Sequence, residues 1–195
     1  IRNAKVVTTI SKFSQSEIKK LGNYSTPIEV IYNPLSLSLT YSRREFNAEK
    51  PAILHIGNKQ NKNLERLIEA LKGLSCKLII LGKVSSTVRH KIDELGIECA
   101  ITSRLSEQEM LSLYEKIDLL AFVSTYEGFG LPILEAQAIG RVILTSNIAS
   151  MPEVAGKGAY FVDPFSVEAI RNGIVELIKN HDLREDLIEK GRENV

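Results

Sequence analysis

The chain has 195 residues, 44% of them hydrophobic, and its 25 basic and 24 acidic side chains leave a formal net charge of +1. This length suffices for one well-packed domain, with or without an appendage. The balanced charge gives no indication of nucleic acid or of a strongly acidic partner. No apolar run approaches the roughly 18 residues of a membrane-spanning helix, and we expect no signal peptide. Because the sequence starts at Ile1 rather than Met, we expect a piece of a longer chain.

Short apolar runs rich in β-branched residues alternate with helical patterns. The predicted strands are 5–10, 28–33, 52–57, 77–82, 98–102, 118–124, 141–146 and 158–163. Apolar residues recur at helical spacing between most of these runs. The predicted helices are 11–22, 63–74, 85–96, 106–117, 166–180 and 182–195. Ser106 and Glu109 form a capping box, and Ser166 occupies the same starting position in the later helix 166–180.

Strands that are apolar on both faces, and that alternate with helices, predict a parallel sheet covered by helices on both sides. The predicted fold from residue 51 onward is therefore an α/β domain with a doubly wound, Rossmann-like parallel sheet. Ligands of such sheets bind at the carboxyl ends of the strands, where the strand order reverses. Residues 1–50 fit this repeat less well, and 32–51 predict a turn and an irregular loop.

The cysteines and histidines show no metal-site spacing. Cys76 and Cys99 lie in apolar surroundings, which predicts two buried free thiols in a reducing compartment. His55 lies in a predicted strand, and we interpret it as a core residue rather than a ligand.

The segment "STYEGFGLPILEAQAIG", residues 124–140, places two carboxylates around two glycines. A strand ends near Ser124, and Pro132 suits the first turn of the helix that must follow. Glu127 therefore belongs to a loop and Glu135 to the first turns of a helix. Both are predicted to lie at the carboxyl edge of the sheet.

Gly128 and Gly130 would let a ligand approach the backbone of this segment. The N–H groups of residues 129–133 would then be free donors near a helix N-terminus, which favours an anion such as a phosphate. Other interpretations stay open at this point. Glu135 could simply compensate the helix dipole, Glu127 could be a solvated loop charge, and the glycines could serve a tight turn.

A second strand, loop and helix, "HIGNKQNKNLERLIEA", places Lys62 directly before a helix, with Asn58, Lys59 and Asn61 close in sequence. A lysine beside free N–H groups is a common way to bind phosphate, although a solvated loop lysine is the alternative. Neither glycine loop matches the dinucleotide pattern GxGxxG or the P-loop pattern.

The motif "EGFGLPILEA" resembles the E-x7-E motif of retaining glycosyltransferases of family 4, which have the GT-B fold. The segments "TTISKFSQSEI", "IEVIYNP", "ILHIGNKQNKNLERLIEAL" and "GRVILTSNIASMPEVAGKGAYFVDPFSVEAI" are also similar, in the family's order, so the resemblance covers almost the whole chain. It implies two Rossmann-like domains facing a cleft. Residues 1–25 would be the last strand and helix of the N-terminal acceptor domain, and 26–195 the C-terminal domain that binds the nucleotide-sugar donor.

The resemblance implies a role for each matching position. Glu127 would be the catalytic residue near the reacting sugar carbon, Glu135 would bind the ribose hydroxyls, and Lys62 would neutralise the diphosphate. The implied donor-binding set also includes Gly57, Asn58, Arg104, Gly128, Phe129, Gly130 and Leu131. Family members often carry an arginine where this chain has Asn58, so Lys59 or Arg104 would have to supply that charge. The sequence has no Asp-x-Asp motif, and we expect no metal and no cofactor.

The implied function is transfer of a hexose from a UDP- or GDP-linked donor to a glycan or lipid-linked acceptor, with retention of configuration. The resemblance suggests bacterial surface-polysaccharide synthesis, in the cytoplasm or at the inner membrane face. The acceptor would be bound mainly by the other half, so this chain alone is expected to be inactive. Two alternatives stay open: a non-catalytic sugar-nucleotide binding module, and a nucleotide-sugar epimerase of the same fold.

Overall fold

The computed structural model describes residues 4–22, 26–36 and 38–195. Their strands are β1 Val7–Thr9, β2 Ile28–Val30, β3 Ala52–Ile56, β4 Lys77–Leu81, β5 Glu98–Thr102, β6 Leu119–Phe122, β7 Val142–Ser146 and β8 Tyr160–Val162. The helices are α1 Lys12–Lys20, α2 Leu64–Leu71, α3 Ser86–Glu94, α4 Glu107–Lys116, α5 Leu131–Ile139, α6 Met151–Ala155, α7 Val167–Lys179 and α8 His181–Asn194. A short 3-10 helix, Gln60–Lys62, precedes α2.

Six strands form one parallel sheet in the order β5-β4-β3-β6-β7-β8. The chain runs outward from β3 to β5, crosses back, and then runs from β6 to the opposite edge at β8. Leu54 of β3 pairs with Leu120 of β6 where the two halves meet. This junction is the topological switch point, so the predicted doubly wound sheet is confirmed and its ligand edge is located.

Side chains alternate between two buried layers along the central strands. Ile53 and Ala121 pack into the layer formed with α2, α3 and α7, whereas Leu54 and Phe122 pack into the layer formed with α4, α5 and α6. Both faces of the sheet are therefore covered. This explains why the strands are apolar at consecutive positions rather than at alternate ones.

Residues 4–22 and 26–36 add a smaller unit in which β1 and β2 form a two-stranded parallel sheet, with Val7 opposite Ile28. The strand and helix predicted within residues 5–22 are both present. The predicted domain boundary between residues 25 and 26 lies between these paired strands, and residues 23–25 are outside the described residues. The division into two domains stays a prediction.

The elements differ from the sequence prediction mainly at the periphery. The strands predicted over 5–10, 28–33 and 158–163 each keep three residues, and each pairs with a single neighbouring strand. A short helix that was not predicted, α6, follows β7 and has Pro152 in its first turn. Of the helices described, none is long and apolar enough to cross a membrane.

Candidate functional site

Two loops meet where β3 and β6 end: the β3 loop (residues 57–62) and the β6 loop (residues 124–130). The backbone N–H of Thr125 donates to the carbonyl of Asn61 at 2.8 Å. The Asn61 side-chain amide donates in turn to the carbonyl of Tyr126 at 2.8 Å. The two segments that the sequence singled out separately are thus hydrogen-bonded to each other at the switch point.

Lys62 and Glu127 form an ion pair between these loops. Lys62 Nζ lies 2.7 Å from Glu127 Oε1, and the two side chains are only 19% and 16% exposed. The ammonium also lies 4.8 Å from the centre of the Phe122 ring. Asn61 contributes a longer contact of 3.4 Å to the same carboxylate oxygen. Neither residue is therefore a solvated loop charge.

Gly57 is required for this arrangement. Its φ of +98° lies in the region that favours glycine. A Cβ atom at this position would lie 2.9 Å from both Cγ and Cε of Lys62, which is closer than real contacts allow. The lysine stem therefore crosses directly over the end of β3, and this brings its ammonium group to the β6 loop.

The structure places three other predicted cationic or polar contributors outside the ion pair. The Asn58 side-chain amide donates to the carbonyl of Lys83 at 2.6 Å, so it holds the turn after β4. Arg104 is exposed after β5, two strands from β3, with a left-handed φ of 59°. Within the described residues it makes no hydrogen bond or ion pair. Lys59 is also exposed.

The N-terminus of α5 follows the β6 loop and has no side-chain cap. Gly130 occupies the cap position with a φ of 127°, a conformation that suits glycine. The expectation of free donors over 129–133 is too broad, because Pro132 has no N–H and Ile133 N–H donates to the Gly130 carbonyl at 2.9 Å. The N–H groups of Phe129, Gly130 and Leu131 have no acceptor among the described residues.

The side chain of Phe129 is 5% exposed and packs in the core beside α5. Only its backbone is available to a ligand. Ser150, directly before α6, also supports the β6 loop, since its hydroxyl contacts the carbonyls of Glu127 and Phe129. The conformation of residues 127–130 is thus held by specific contacts as well as by glycine.

Glu135 lies beyond the first turn of α5, so it is not placed to compensate the helix dipole. Its Oε2 accepts a 2.6 Å hydrogen bond from the hydroxyl of Tyr114 in α4. Tyr114 is 1% exposed. Burial, followed by the nearby carboxylate, raises the pKa of Tyr114 well above its ordinary value, so the phenol keeps its proton and donates it. One carboxylate oxygen of Glu135 is thereby fixed, and no described residue binds the other.

His55 is a buried core residue, as predicted. Its Nε2 lies 3.0 Å from the carbonyl of Gly57, which can only accept, so Nε2 carries the proton. Burial is the main cause that lowers the pKa of His55 to about 4. The neutral imidazole therefore supports the start of the β3 loop without adding a positive charge beneath Lys62.

We expect acid to destabilise the fold through His55. The unfolded side chain binds a proton as the pH falls below about 6.5, while the folded one stays neutral down to about pH 4, so stability is lost across that interval. Between pH 7 and pH 5 this residue should reduce the free energy of unfolding by about 2 kcal/mol. Urea unfolding at pH 7 and at pH 5 measures this change in the free energy of unfolding. His55→Gln, which keeps a donor for Gly57, should show a smaller loss, and an equal loss in both proteins would contradict this role.

The described part of the chain contains no group of three His, Cys, Asp or Glu side chains arranged to hold a metal ion. Metal independence stays a prediction. Both cysteines are free thiols; Cys76 is buried, whereas Cys99 is only half-buried. Burial raises the pKa of Cys76 to about 11, so this thiol stays protonated at neutral pH.

Several residues that build the site carried little or no signal in the sequence. They are Asn61, Tyr114, Ser150, Ser11 and Ser14. Asn61 stood beside Lys62 but had no assigned role. Tyr114 looks like an ordinary core aromatic of an amphipathic helix, and nothing in its spacing distinguishes the phenol that contacts Glu135.

Residues 41–194 match the family of glycosyl transferases group 1. The chain belongs to this family. It is 29% identical to O-antigen chain mannosyltransferase B of Escherichia coli over 212 residues, covering 97% of the chain and 55% of that protein. It is 23% identical to N-acetyl-alpha-D-glucosaminyl L-malate synthase of Bacillus anthracis, covering all of the chain and 56% of that protein. The chain thus spans about half the length of the relatives it matches.

Solved structures share the fold of this group 1 chain. Anabaena Alr3699/HepE, solved in complex with UDP and glucose, superposes with a TM-score of 0.86 at 19% identity, over 97% of this chain and 58% of that one. The C-terminal domain of a group 1 glycosyl transferase from Francisella tularensis, LpcC, gives 0.70 at 20% identity, over 83% and 96%. The chain has the Rossmann-like fold of a GT-B C-terminal half, which confirms the predicted fold class.

Proposed function

We propose that this chain is the donor-binding half of a retaining hexosyltransferase that uses a nucleoside-diphosphate sugar. The observation that carries the proposal is the Lys62–Glu127 ion pair, held at the switch point beside the uncapped N-terminus of α5. A cation and three N–H groups that no described residue accepts favour a diphosphate. The Glu127 carboxylate lies 2.7 Å from the Lys62 ammonium, so a negative charge stands directly beside the positive one.

The chemistry of the proposed reaction matches these charges. When the bond from the anomeric carbon to the diphosphate oxygen breaks, its electron pair leaves with the diphosphate, and positive charge develops on the sugar. Lys62 and the N–H groups of Phe129, Gly130 and Leu131 would stabilise the leaving group. Glu127 would stabilise the sugar cation or orient its hydroxyls. An acceptor hydroxyl then bonds to the same face of the anomeric carbon, and its proton passes to the departing diphosphate oxygen.

Glu135 is proposed to bind the ribose. Its unbound carboxylate oxygen is an acceptor, and two vicinal hydroxyls are suitable donors. Tyr114 holds the other oxygen at 2.6 Å, which limits the rotation of the carboxylate.

Tyr114→Phe is therefore expected to weaken nucleoside-diphosphate binding about 3- to 10-fold, the value of one hydrogen bond. The loss should disappear with a 2′,3′-dideoxynucleoside diphosphate, which offers no ribose hydroxyls. Calorimetric titration of both ligands measures it. Equal losses with both would mean that Tyr114 acts on the fold and not through Glu135.

The donor, the biological role and the cellular location are proposed from the family. The Escherichia coli relative is named an O-antigen mannosyltransferase, which supports a hexose donor and surface-polysaccharide synthesis. The HepE structure contains UDP and glucose, which supports a UDP-linked donor. A GDP-linked donor stays the other proposal. We propose a cytoplasmic protein, peripheral at the inner membrane face, whose acceptor is bound mainly by the other half. We also propose that transfer needs neither a metal nor a cofactor.

One observation favours a second candidate, a non-catalytic sugar-nucleotide binding module. Asn58 stands where family members often carry an arginine, and its amide is bonded to Lys83. Arg104 and Lys59 are exposed and do not join the ion pair. Two positive charges, a lysine and an arginine, were expected at the diphosphate. Only the lysine, Lys62, is present in the ion pair.

Proton NMR of donor turnover by the full-length protein separates the candidates. GDP-mannose, UDP-glucose and UDP-N-acetylglucosamine are suitable donors, and slow transfer to water is followed before the sugar mutarotates. A retaining transferase releases sugar with the donor's anomeric configuration. Inverted sugar or isomerised donor would overturn the proposal, and binding without any release, with acceptor glycans also present, would favour the binding module.

A further inference from the structure

The first turn of α1 binds the backbone of the β6 loop, more than 100 residues away in sequence. Ser11 Oγ donates to the carbonyl oxygen of Gly128 at 2.6 Å. Ser14 Oγ donates to the same oxygen at 2.9 Å. Both lone pairs of this carbonyl are therefore engaged by hydroxyl groups. Ser11 is completely buried and Ser14 half-buried.

Polar contacts fasten this end of α1 to the rest of the chain. The Glu153 carboxylate accepts from the backbone N–H groups of Lys12 at 2.7 Å and Phe13 at 3.0 Å. The Phe13 ring meets Tyr126 of the β6 loop edge-on, with 5.4 Å between ring centres. None of the nine described residues of α1 is buried. The hydrogen bonds at the N-terminus of α1, together with the Phe13–Tyr126 contact, therefore hold it in place.

The contact to Gly128 has a direct effect on the next N–H group. In a trans peptide unit, the carbonyl of one residue and the N–H of the next point in opposite directions. Because the Gly128 carbonyl faces α1, the N–H of Phe129 points away from α1. That N–H is one of the three donors that no described residue accepts.

We propose that Ser11 and Ser14 are positioning residues for the donor diphosphate. By holding the Gly128 carbonyl, they keep the Gly128–Phe129 peptide in the orientation that presents the Phe129 N–H to a phosphate oxygen. A glycine peptide rotates easily without such a restraint. This inference rests on the proposed function, since it needs a phosphate at the β6 loop.

The two serines lie within residues 1–25, the segment predicted to end the acceptor-binding half. Their hydrogen bonds therefore run across the predicted domain boundary to the donor loop. A displacement of α1 from the β6 loop would free the Gly128 carbonyl and release the Phe129 N–H from its orientation. Donor affinity would then depend on whether α1 is docked.

Ser14→Ala is the sharpest test, because Ser11 also caps α1 by accepting from the Ser14 N–H, whereas the Ser14 hydroxyl contacts only Gly128 among the described residues. Affinity is measured by calorimetry for UDP, GDP or ADP, using the one that the wild-type protein binds most tightly. We expect Ser14→Ala to weaken it about 3- to 10-fold. Ser14→Thr, which keeps the hydroxyl, should restore it.

Two controls separate positioning from a general effect on the fold. Ser16→Ala removes a hydroxyl of the same helix that donates only to the Phe13 carbonyl, and should leave affinity within about twofold. The nucleoside without phosphates, titrated by NMR, should bind wild type and Ser14→Ala equally. Wild-type diphosphate affinity in Ser14→Ala, or an equal loss for the nucleoside, would overturn the inference while the proposed function stands. If the folded wild-type protein bound none of the three nucleotides, the proposed function would fail, and this inference with it.

Discussion

Lys62→Met is expected to lower the affinity for a nucleoside diphosphate about 10- to 100-fold. A hydrogen bond to a charged group contributes about 1.5–3 kcal/mol, and each 1.4 kcal/mol is about tenfold in affinity. Methionine keeps an unbranched side chain that can cross Gly57 and pack on Phe122, so the loop geometry is preserved while the ammonium is removed. Calorimetric titration measures the loss.

Lys59→Met is the matched control for this substitution. Lys59 belongs to the same loop, but it is exposed and takes no part in the ion pair with Glu127. Its removal should change affinity by less than about threefold, because an exposed charge is screened by solvent. Equal losses in the two variants would mean that the loop attracts the diphosphate through general charge, and the specific role of Lys62 would be wrong.

Glu127→Gln is expected to lower the rate of sugar transfer by about 100- to 1,000-fold, the usual cost of one electrostatic contact made in the transition state. Nucleoside-diphosphate affinity should be kept or improved. The reason is that Lys62 Nζ lies 2.7 Å from Glu127 Oε1, so the carboxylate competes with a phosphate for the same ammonium. Turnover of the full-length protein and calorimetry on the same preparation separate the two effects.

Glu65→Gln is the control for Glu127, since Glu65 is an exposed glutamate in the first turn of α2. It should transfer sugar at the wild-type rate. Full turnover by Glu127→Gln would show that the residue is not catalytic. A parallel loss of nucleotide binding would show instead that the carboxylate supports the loop.

The central sheet could be predicted because its cause is local in sequence. Consecutive apolar residues such as Ile53 and Leu54 pack into opposite layers of the core. The run of apolar residues in each strand therefore indicates that both of its faces are buried. Lys62 and Glu127 were each predicted to lie just after a strand, at the edge where the carboxyl ends meet, but the ion pair between them was not predicted. The chemistry proposed for that edge comes from the E-x7-E resemblance.

The rest of the site depends on contacts between segments far apart in the sequence. Tyr114 and Glu135 meet because α4 and α5 cover the same face of the sheet, and no spacing rule connects them. Ser11 and Ser14 reach Gly128 because α1 docks by its N-terminus, through a carboxylate contributed by Glu153. Such tertiary hydrogen bonds are not encoded by periodicity, so a sequence pattern could not have predicted them.

Isothermal titration calorimetry of the wild-type protein with UDP, GDP and ADP tests the central claim most directly. One of the three should bind with one-to-one stoichiometry and a dissociation constant in the micromolar to millimolar range. In the same titration, Lys62→Met and Glu135→Ala should weaken binding, whereas Lys59→Met should change affinity by less than about threefold. A folded protein that binds none of the three nucleotides, or one whose binding is indifferent to Lys62 and Glu135, would contradict the assignment of this loop pair as the donor site.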